Sequence, residues 1–190
     1  MAGAAKHTLS GLVVREAMRR QVIRLDGETP IDNSINLLIK YKVNALLVTG
    51  PEGAAVGVVS KSDIMTAYYA GLPIDTPLSH IMVGPPLFCH PETALEDALD
   101  SMRDHGVYRL YVVDGEADRV VGALAYPDIV GLLYKYCHGC EYSHSHRRRK
   151  SAAAAGAVKR YHVGDAMTSG VQAVVLEDPV TTVMEVLSTY

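Results

Sequence analysis

The apolar residues of this chain follow two spacings in turn, and the same succession occurs twice. Apolar positions at helical spacing run from Ile31 to Ile39 and again from Leu95 to Met102. Each helical segment is followed by two short runs rich in Val, Leu and Tyr, separated by a glycine-containing turn, which is the pattern of paired strands. The chain is therefore predicted to use one unit twice, in a mixed α+β fold.

One unit is predicted to read β-α-β-β-α, with a short leading helix that ends at a methionine. Besides the two amphipathic segments, the predicted helices occupy 12–18, 61–70, 77–82 and 126–136. The predicted strands occupy 22–25, 44–49, 55–60, 87–89, 108–114 and 119–125. Thr29 and Pro30 offer a capping side chain and a first-turn proline. Because a unit of about 60 residues has a marginal core alone, we expect the two copies to pack their sheets together as a pseudo-two-fold pair.

A third copy begins and stops halfway. Met18 and Met82, which end the leading helices, have a counterpart in Met167, and Tyr190 corresponds to Tyr41. This partial copy is predicted to contain a leading helix, a first strand and the helix after it. Either the chain is a piece of a protein with a second complete pair, or the half-copy packs against the finished pair or a neighbouring chain. The predicted units are 10–72, 73–136, a Cys/His-rich and basic linker at 137–160, and the partial copy at 161–190.

The composition is that of an ordinary globular protein. The chain has 190 residues, is 48% hydrophobic and 21% charged, and has material for one core or two small ones. Its net charge of −3 disfavours a general nucleic-acid binder, although residues 147–150 form a basic run. No stretch reaches the roughly 18 apolar residues of a membrane span, and the N-terminus lacks the apolar run of a signal peptide. Three cysteines make no disulfide framework, so a reducing cytoplasm is the expected compartment.

The junction between the last strand and the last helix of the first copy carries two polar residues. Ser60 stands where its hydroxyl can cap the following helix. Asp63 follows in the first turn, where a carboxylate suits the helix dipole and could also accept hydrogen bonds from the paired hydroxyls of a ribose. The two residues are either part of a ligand site or only a helix start.

The same junction in the second copy departs from this pattern. Asp128 corresponds to Asp63, but Ala125 replaces the hydroxyl residue and Pro127 occupies the first turn. Proline is tolerated at that position, whereas the loss of the hydroxyl weakens a polar site. The first junction is therefore predicted to be the better of the two.

The recurring elements resemble the cystathionine-β-synthase (CBS) domain. The resemblance rests on a leading helix that ends in Met, on Thr29-Pro30, on the run from Asn44 to Val48, and on the segment from Gly57 to Asp63. It covers two full copies and the partial third, so that the two full copies resemble a CBS pair, or Bateman module. The family implies a regulatory module that binds adenosine-containing ligands in clefts between the copies. It also implies pairing of two such modules, here as a homodimer.

The resemblance also implies roles for particular residues. It assigns the ribose to Asp63 and, by equivalence, to Asp128, the Ser60 hydroxyl to the ribose or α-phosphate, and the phosphates to Arg109. An arginine fork matches a phosphate geometrically, and the alternative for Arg109 is a surface position at a strand edge. The implied adenine contacts are Val22, Ile23 and Ala45 in one pocket and Leu87, Phe88 and Arg109 in the other. The alternative for most of these apolar residues is that they pack in the hydrophobic core and contact no ligand.

The linker carries a separate cluster of metal-ligand residue types. Cys137, Cys140, His144 and His146 offer two thiolates and two imidazoles within ten residues, a set that zinc accepts. The Cys-x2-Cys half has metal-like spacing, whereas His-x-His so close behind it is not a standard finger. The same pair of cysteines could form a redox-active dithiol. The third explanation is a linker in which these residues are incidental.

The sequence contains no nucleophile–base constellation, no P-loop and no dinucleotide fingerprint, so no catalysis is expected. The leading hypothesis is a cytoplasmic regulatory module that senses an adenine nucleotide (AMP, ADP or ATP) or S-adenosylmethionine and acts on an unidentified effector protein or on the rest of a larger enzyme or transporter. The alternative is a dimerising interaction scaffold in which the Cys/His segment senses metal or redox state.

Overall fold

The computed structural model describes residues 9, 11–115, 119–137, 163–165, 167 and 169–189, with the side chains of 136, 137, 165 and 188 left out. The helices are α1 (Val14–Ala17), α2 (Ile31–Lys40), α3 (Lys61–Tyr69), α4 (Leu95–Asp104), α5 (Tyr126–Cys137) and α6 (Val180–Thr189). The strands are β1 (Arg24–Asp26), β2 (Ala45–Thr49), β3 (Ala55–Ser60), β4 (Phe88–Cys89), β5 (Arg109–Val113) and β6 (Val120–Ala125). The chain divides into two units, Met1–Tyr136 and Cys137–Tyr190.

Each full copy forms its own three-stranded sheet, which confirms the predicted α+β fold. The orders are β1-β2-β3 and β4-β5-β6, with the first pair parallel and the second antiparallel in both sheets. The registers correspond, since Leu47 lies opposite Val58 and Tyr111 lies opposite Ala123. The sheet of the second copy therefore repeats that of the first, strand by strand.

The central strands β2 and β5 are buried on both faces. Leu46 and Val48 pack with α2 and α3 residues in the core of the first copy, whereas Leu47 between them joins Tyr111 and Val113 in a cluster shared by the two sheets. Side chains alternate across a strand, so one face of each sheet meets its own helices and the other face meets the second sheet. This explains why these strands read as continuous apolar runs.

The leading segments are exchanged between the copies. Val14 lies in the core of the second copy, and Leu78 lies in the core of the first. The backbone after each methionine continues the exchange, because Arg19 pairs with Ala123 of β6 and Val83 pairs with Val58 of β3. The predicted units assigned each leading helix to the copy that follows it in sequence. In the structure, each leading segment instead completes the sheet and core of the other copy.

The start of α2 differs from the sequence prediction. Pro30 occupies the position before the helix, and no side chain caps it, so the predicted capping role of Thr29 is wrong. The first free backbone N–H groups are satisfied by the segment that leads into the second copy, since Ile31 donates to the carbonyl of Thr76 and Asp32 donates to that of Ile74. Backbone carbonyls from the neighbouring segment thus replace a side-chain cap.

The leading helices are also shorter than expected. α1 spans four residues, and Leu78–His80 form a single 3-10 turn. In the described ranges, no helix is long and apolar enough to cross a bilayer.

The partial third copy is described only in part, and its predicted first strand is absent from the described residues 171–177. A 3-10 turn (Val163–Asp165) and α6 are present. In the full copies, the first strand exists because it pairs with a central strand. The apolar segment from Val171 to Leu176 pairs with no strand among the described residues and is exposed.

Substituting Gly122 by alanine is expected to destabilise the pair of copies. A Cβ there would lie 2.8 Å from the carbonyl oxygen of Arg19 and 3.0 Å from the sulfur of Met18. The backbone of Arg19 cannot retreat without losing its two hydrogen bonds to Ala123, both 2.9 Å long. We expect a loss of about 1–3 kcal/mol in the free energy of unfolding, measured by urea denaturation.

The matched control is Gly131→Ala in α5, where an added Cβ meets no atom within 4 Å. Alanine favours a helix over glycine, so this variant should gain up to about 1 kcal/mol. Equal effects of the two substitutions would contradict the close approach of the leading segment to β6.

The thiol of Cys89 is expected to react slowly in the folded protein. Cys89 is buried in the core of the second copy, and burial raises the pKa of its thiol to about 11. Because the thiolate is the reactive form, Ellman's reagent at pH 8 should modify the Cys137→Ser/Cys140→Ser variant orders of magnitude more slowly when folded than in urea. Since the folded pKa is raised, stability should also fall as the pH rises from about 9 towards 11. Rapid modification of the folded variant would contradict this.

Candidate ligand site between the copies

Ser60 and Asp63 form a reciprocal cap at the start of α3. The Oδ2 atom of Asp63 accepts hydrogen bonds from the backbone N–H and the hydroxyl of Ser60, each 2.7 Å long. The backbone N–H of Asp63 points back to the Ser60 Oγ atom at 3.3 Å. Both residues are half-buried. Within the described part of the chain, the second oxygen of this carboxylate, Oδ1, has no hydrogen-bond partner, so the cap leaves one acceptor available.

Arg109 connects the second copy to the first. Its Nη1 atom donates a 2.6 Å hydrogen bond to the carbonyl of Ala45, the first residue of β2. Ala45 is the ladder partner of Ser60, but its carbonyl faces β1, as does the N–H of Leu47 two residues on, which donates to Ile23. The guanidinium therefore contacts β2 at the level of the Ser60–Asp63 junction, on the β1 side of that strand. Arg109 was predicted to share a pocket with Leu87 and Phe88, whereas its hydrogen bond reaches β2 of the other copy, at the level of the Ser60–Asp63 junction.

Tyr111 lies between the two sheets with its hydroxyl buried. The residue is 2% exposed, and its hydroxyl makes no hydrogen bond of standard geometry with the described residues. Burial raises the pKa of Tyr111, and the charge of Arg109 and the approach of its guanidinium to the hydroxyl partly offset that rise. Arg109 is thus the polar side chain that faces this hydroxyl. Sequence reasoning missed Tyr111, although a tyrosine at the position where the first copy has Leu47 was a usable signal.

The second junction holds a carboxylate that is already paired. The Oδ2 atom of Asp128 accepts a 3.0 Å hydrogen bond from the backbone N–H of Ala125, and Oδ1 accepts one from Nε of Arg19. This ion pair leaves the Asp128 side chain 7% exposed. Arg19 was not among the predicted site residues. The sequence feature that could have identified Arg19 is a positive charge directly after Met18, at the position where the second copy has Val83.

The apolar candidates are placed unequally. Ile23 and Leu87 pack against the cores of their own copies, and their carbonyls accept the N–H groups of the central strands. Val22 lies against the cluster shared by the two sheets, whereas Phe88 is 39% exposed. Contacts link Arg109 to Ala45, and Ala45 to the Ser60–Asp63 junction, whereas Leu87 and Phe88 lie beside β5 at the level of Tyr111.

The predicted metal site lies outside the described residues. Cys137 is the last residue of α5, but its side chain and the whole of Cys140, His144 and His146 are not described. Elsewhere in the described ranges, no group of three or more His, Cys, Asp or Glu side chains could hold a metal ion. Zinc binding and redox chemistry at the Cys/His segment stay predictions.

Two solved structures share the fold. CBSX2 in complex with AMP is 26% identical, with a TM-score of 0.58, and the match covers 66% of this chain and 98% of that one. The CBS domain pair of protein MJ0100, in complex with 5'-methylthioadenosine and S-adenosyl-L-methionine, is 22% identical with a TM-score of 0.59, covering 65% of this chain and 97% of that one.

Among curated proteins, a homoserine O-acetyltransferase of Methanosphaerula palustris is 30% identical over 127 residues, or 67% of this chain. This chain spans only about a quarter of the length of such relatives, 24% in this case and 23% for the enzyme of Methanosarcina acetivorans. The family model of the CBS domain matches twice, at residues 14–70 and 78–135. These two matches cover most of the chain and coincide with the two sheets described above, and the chain accordingly belongs to the CBS domain family.

Proposed function

We propose that this chain is a regulatory module that binds an adenosine-containing ligand at the Ser60–Asp63 junction, between the two copies. The observation that carries the proposal is the free Oδ1 atom of Asp63, together with a cation from the other copy that binds Ala45, the strand partner of Ser60. A ribose presents two neighbouring hydroxyl donors, for which a half-buried carboxylate oxygen is a suitable acceptor. Arg109 supplies the positive charge that a phosphate requires.

AMP is the first ligand to test. CBSX2, which shares the fold at 26% identity, was solved in complex with AMP. AMP also carries the two groups that the junction can bind, a ribose diol and a phosphate. S-adenosylmethionine is the second candidate, since it shares the adenosine but carries no phosphate for Arg109. Binding studies with both ligands therefore test which of the two polar groups matters.

The hydrogen bond from Arg109 to Ala45 gives the module a route for signalling. A phosphate would compete with the Ala45 carbonyl for the guanidinium, and that bond joins β5 of the second copy to β2 of the first. A ligand shifts a conformational equilibrium only by binding one arrangement more tightly than the other. The two proposed arrangements differ in the partner of Arg109, which binds the Ala45 carbonyl of the first copy in one and the ligand phosphate in the other. The controlled partner, and the pairing of two modules, stay predictions.

Asp63→Asn is expected to weaken AMP binding. The substitution keeps the size of the side chain and removes the charge from the proposed ribose acceptor. Hydrogen bonds to charged groups contribute about 1.5–3 kcal/mol, which corresponds to a rise in Kd of roughly 10- to 150-fold. Isothermal titration calorimetry on the full chain measures this change.

The control is Asp32→Asn, because Asp32 is an exposed carboxylate in the first turn of α2. It reproduces the loss of a first-turn charge without touching the junction. An AMP affinity that is unaffected by Asp63→Asn, or equally reduced by both variants, would overturn the assignment of the site.

Arg109→Gln is expected to separate phosphate recognition from adenosine recognition. The variant should bind AMP at least about tenfold more weakly while binding adenosine with the affinity of the wild type. Arg103→Gln, at an exposed position paired with Asp100, is the matched control and should leave both affinities unchanged. Equal losses for AMP and adenosine in Arg109→Gln would show that Arg109 only supports the fold.

A further inference from the structure

The two junctions differ in what covers their carboxylates. In the described part of the chain, Asp63 keeps one unpartnered oxygen. Both oxygens of Asp128 are used, one by the backbone N–H of Ala125 and one by Nε of Arg19. The Asp128 side chain is nearly buried, whereas 64% of the Arg19 side chain faces solvent. The guanidinium therefore covers the carboxylate from the solvent side.

The backbone fixes Arg19 in this position. Its N–H and carbonyl both bond to Ala123 at 2.9 Å, and Gly122 leaves just enough room for the Arg19 carbonyl to lie against β6. The first copy has the same arrangement with a different side chain. There Val83 exchanges two hydrogen bonds with Val58, at 2.8 and 2.9 Å, and brings no charge to Asp63. An arginine-for-valine difference at equivalent positions thus adds to the loss of the Ser60 hydroxyl in distinguishing the two junctions.

The ion pair should exclude a ribose from Asp128. A ligand diol offers neutral hydroxyl donors, and these would have to replace a charge-assisted bond from a guanidinium, which is roughly twice as strong as a neutral one. Separating the pair also leaves the carboxylate without its compensating charge in a nearly buried position, which is unfavourable. Ala125 offers no hydroxyl that could offset either loss.

We propose that Arg19 closes the second junction, so that the pair of copies offers one adenosine-binding cleft, at Asp63, in place of two. The identity of the ligand rests on the proposed function, but the role of Arg19 does not depend on whether the wild-type junction at Asp63 binds. Arg19, in the leading segment, thus occupies at Asp128 the place that a ligand would take at Asp63.

The test is the binding stoichiometry of the full chain, measured by calorimetry with AMP, ATP and S-adenosylmethionine in turn. Arg19→Val, which copies Val83, is expected to bind one more equivalent of at least one of these ligands per chain than the wild type binds. Adding Asp128→Asn to Arg19→Val should remove the gained equivalent. An unchanged stoichiometry for all three ligands overturns the proposal.

The reciprocal variant is Val83→Arg, which places a guanidinium beside Asp63 and should abolish binding there. Full binding by Val83→Arg would also overturn the proposal. If Arg19→Val does not fold, the Arg19→Gln variant is used in its place, because glutamine keeps most of the aliphatic stem of arginine and removes the charge. A wild-type chain that binds none of the ligands contradicts the proposed function alone, since a site gained in Arg19→Val would still show that Arg19 was closing the second junction.

Discussion

The contact between the two sheets, through Leu47 on one side and Tyr111 on the other, is the interaction on which the rest of the structure depends. Each central strand is covered by its own helices on one face and by the other sheet on the second face. A three-stranded sheet with one face in water would leave most of its apolar surface exposed, and a unit of this size cannot compensate for that loss elsewhere. The pairing of the copies is thus a condition for either sheet, and the ligand junctions exist because the pairing places residues of one copy beside the other.

The sequence was a good guide where a feature depends on local spacing. The helical positions of α2 and α4 and the hairpins after them follow directly from apolar periodicity. The apolar runs at β2 and β5 indicated paired strands, and the structure shows that both strands are buried on both faces. These features need no knowledge of the partner element, because the spacing of apolar residues is the same whichever surface they meet.

The sequence was a poor guide where a feature depends on which segment lies nearby. Val14 and Leu78 have the same apolar character whether they pack in their own copy or in the other, so the exchange leaves no local pattern. The missing cap of α2 has the same cause, because the carbonyls of Ile74 and Thr76 replace a side chain. The first strand expected in the partial copy is not formed in residues 171–177, although this segment is as apolar as the strands of the full copies. The family resemblance pointed to Arg109, but only the structure shows that it contacts Ala45 in the other copy.

The exchange of leading segments has a consequence for how the chain is made. The first copy contains all of its own helices and strands by Tyr69, yet its core still lacks Leu78 and its sheet still lacks the bridge to Val83. During synthesis the first sheet therefore cannot be finished until residues of the second copy have emerged, and α1 must wait longer still for the core that receives Val14. Domains commonly fold one after another as they leave the ribosome. Here the order of translation and the order of completion differ, because each core needs residues from the other copy.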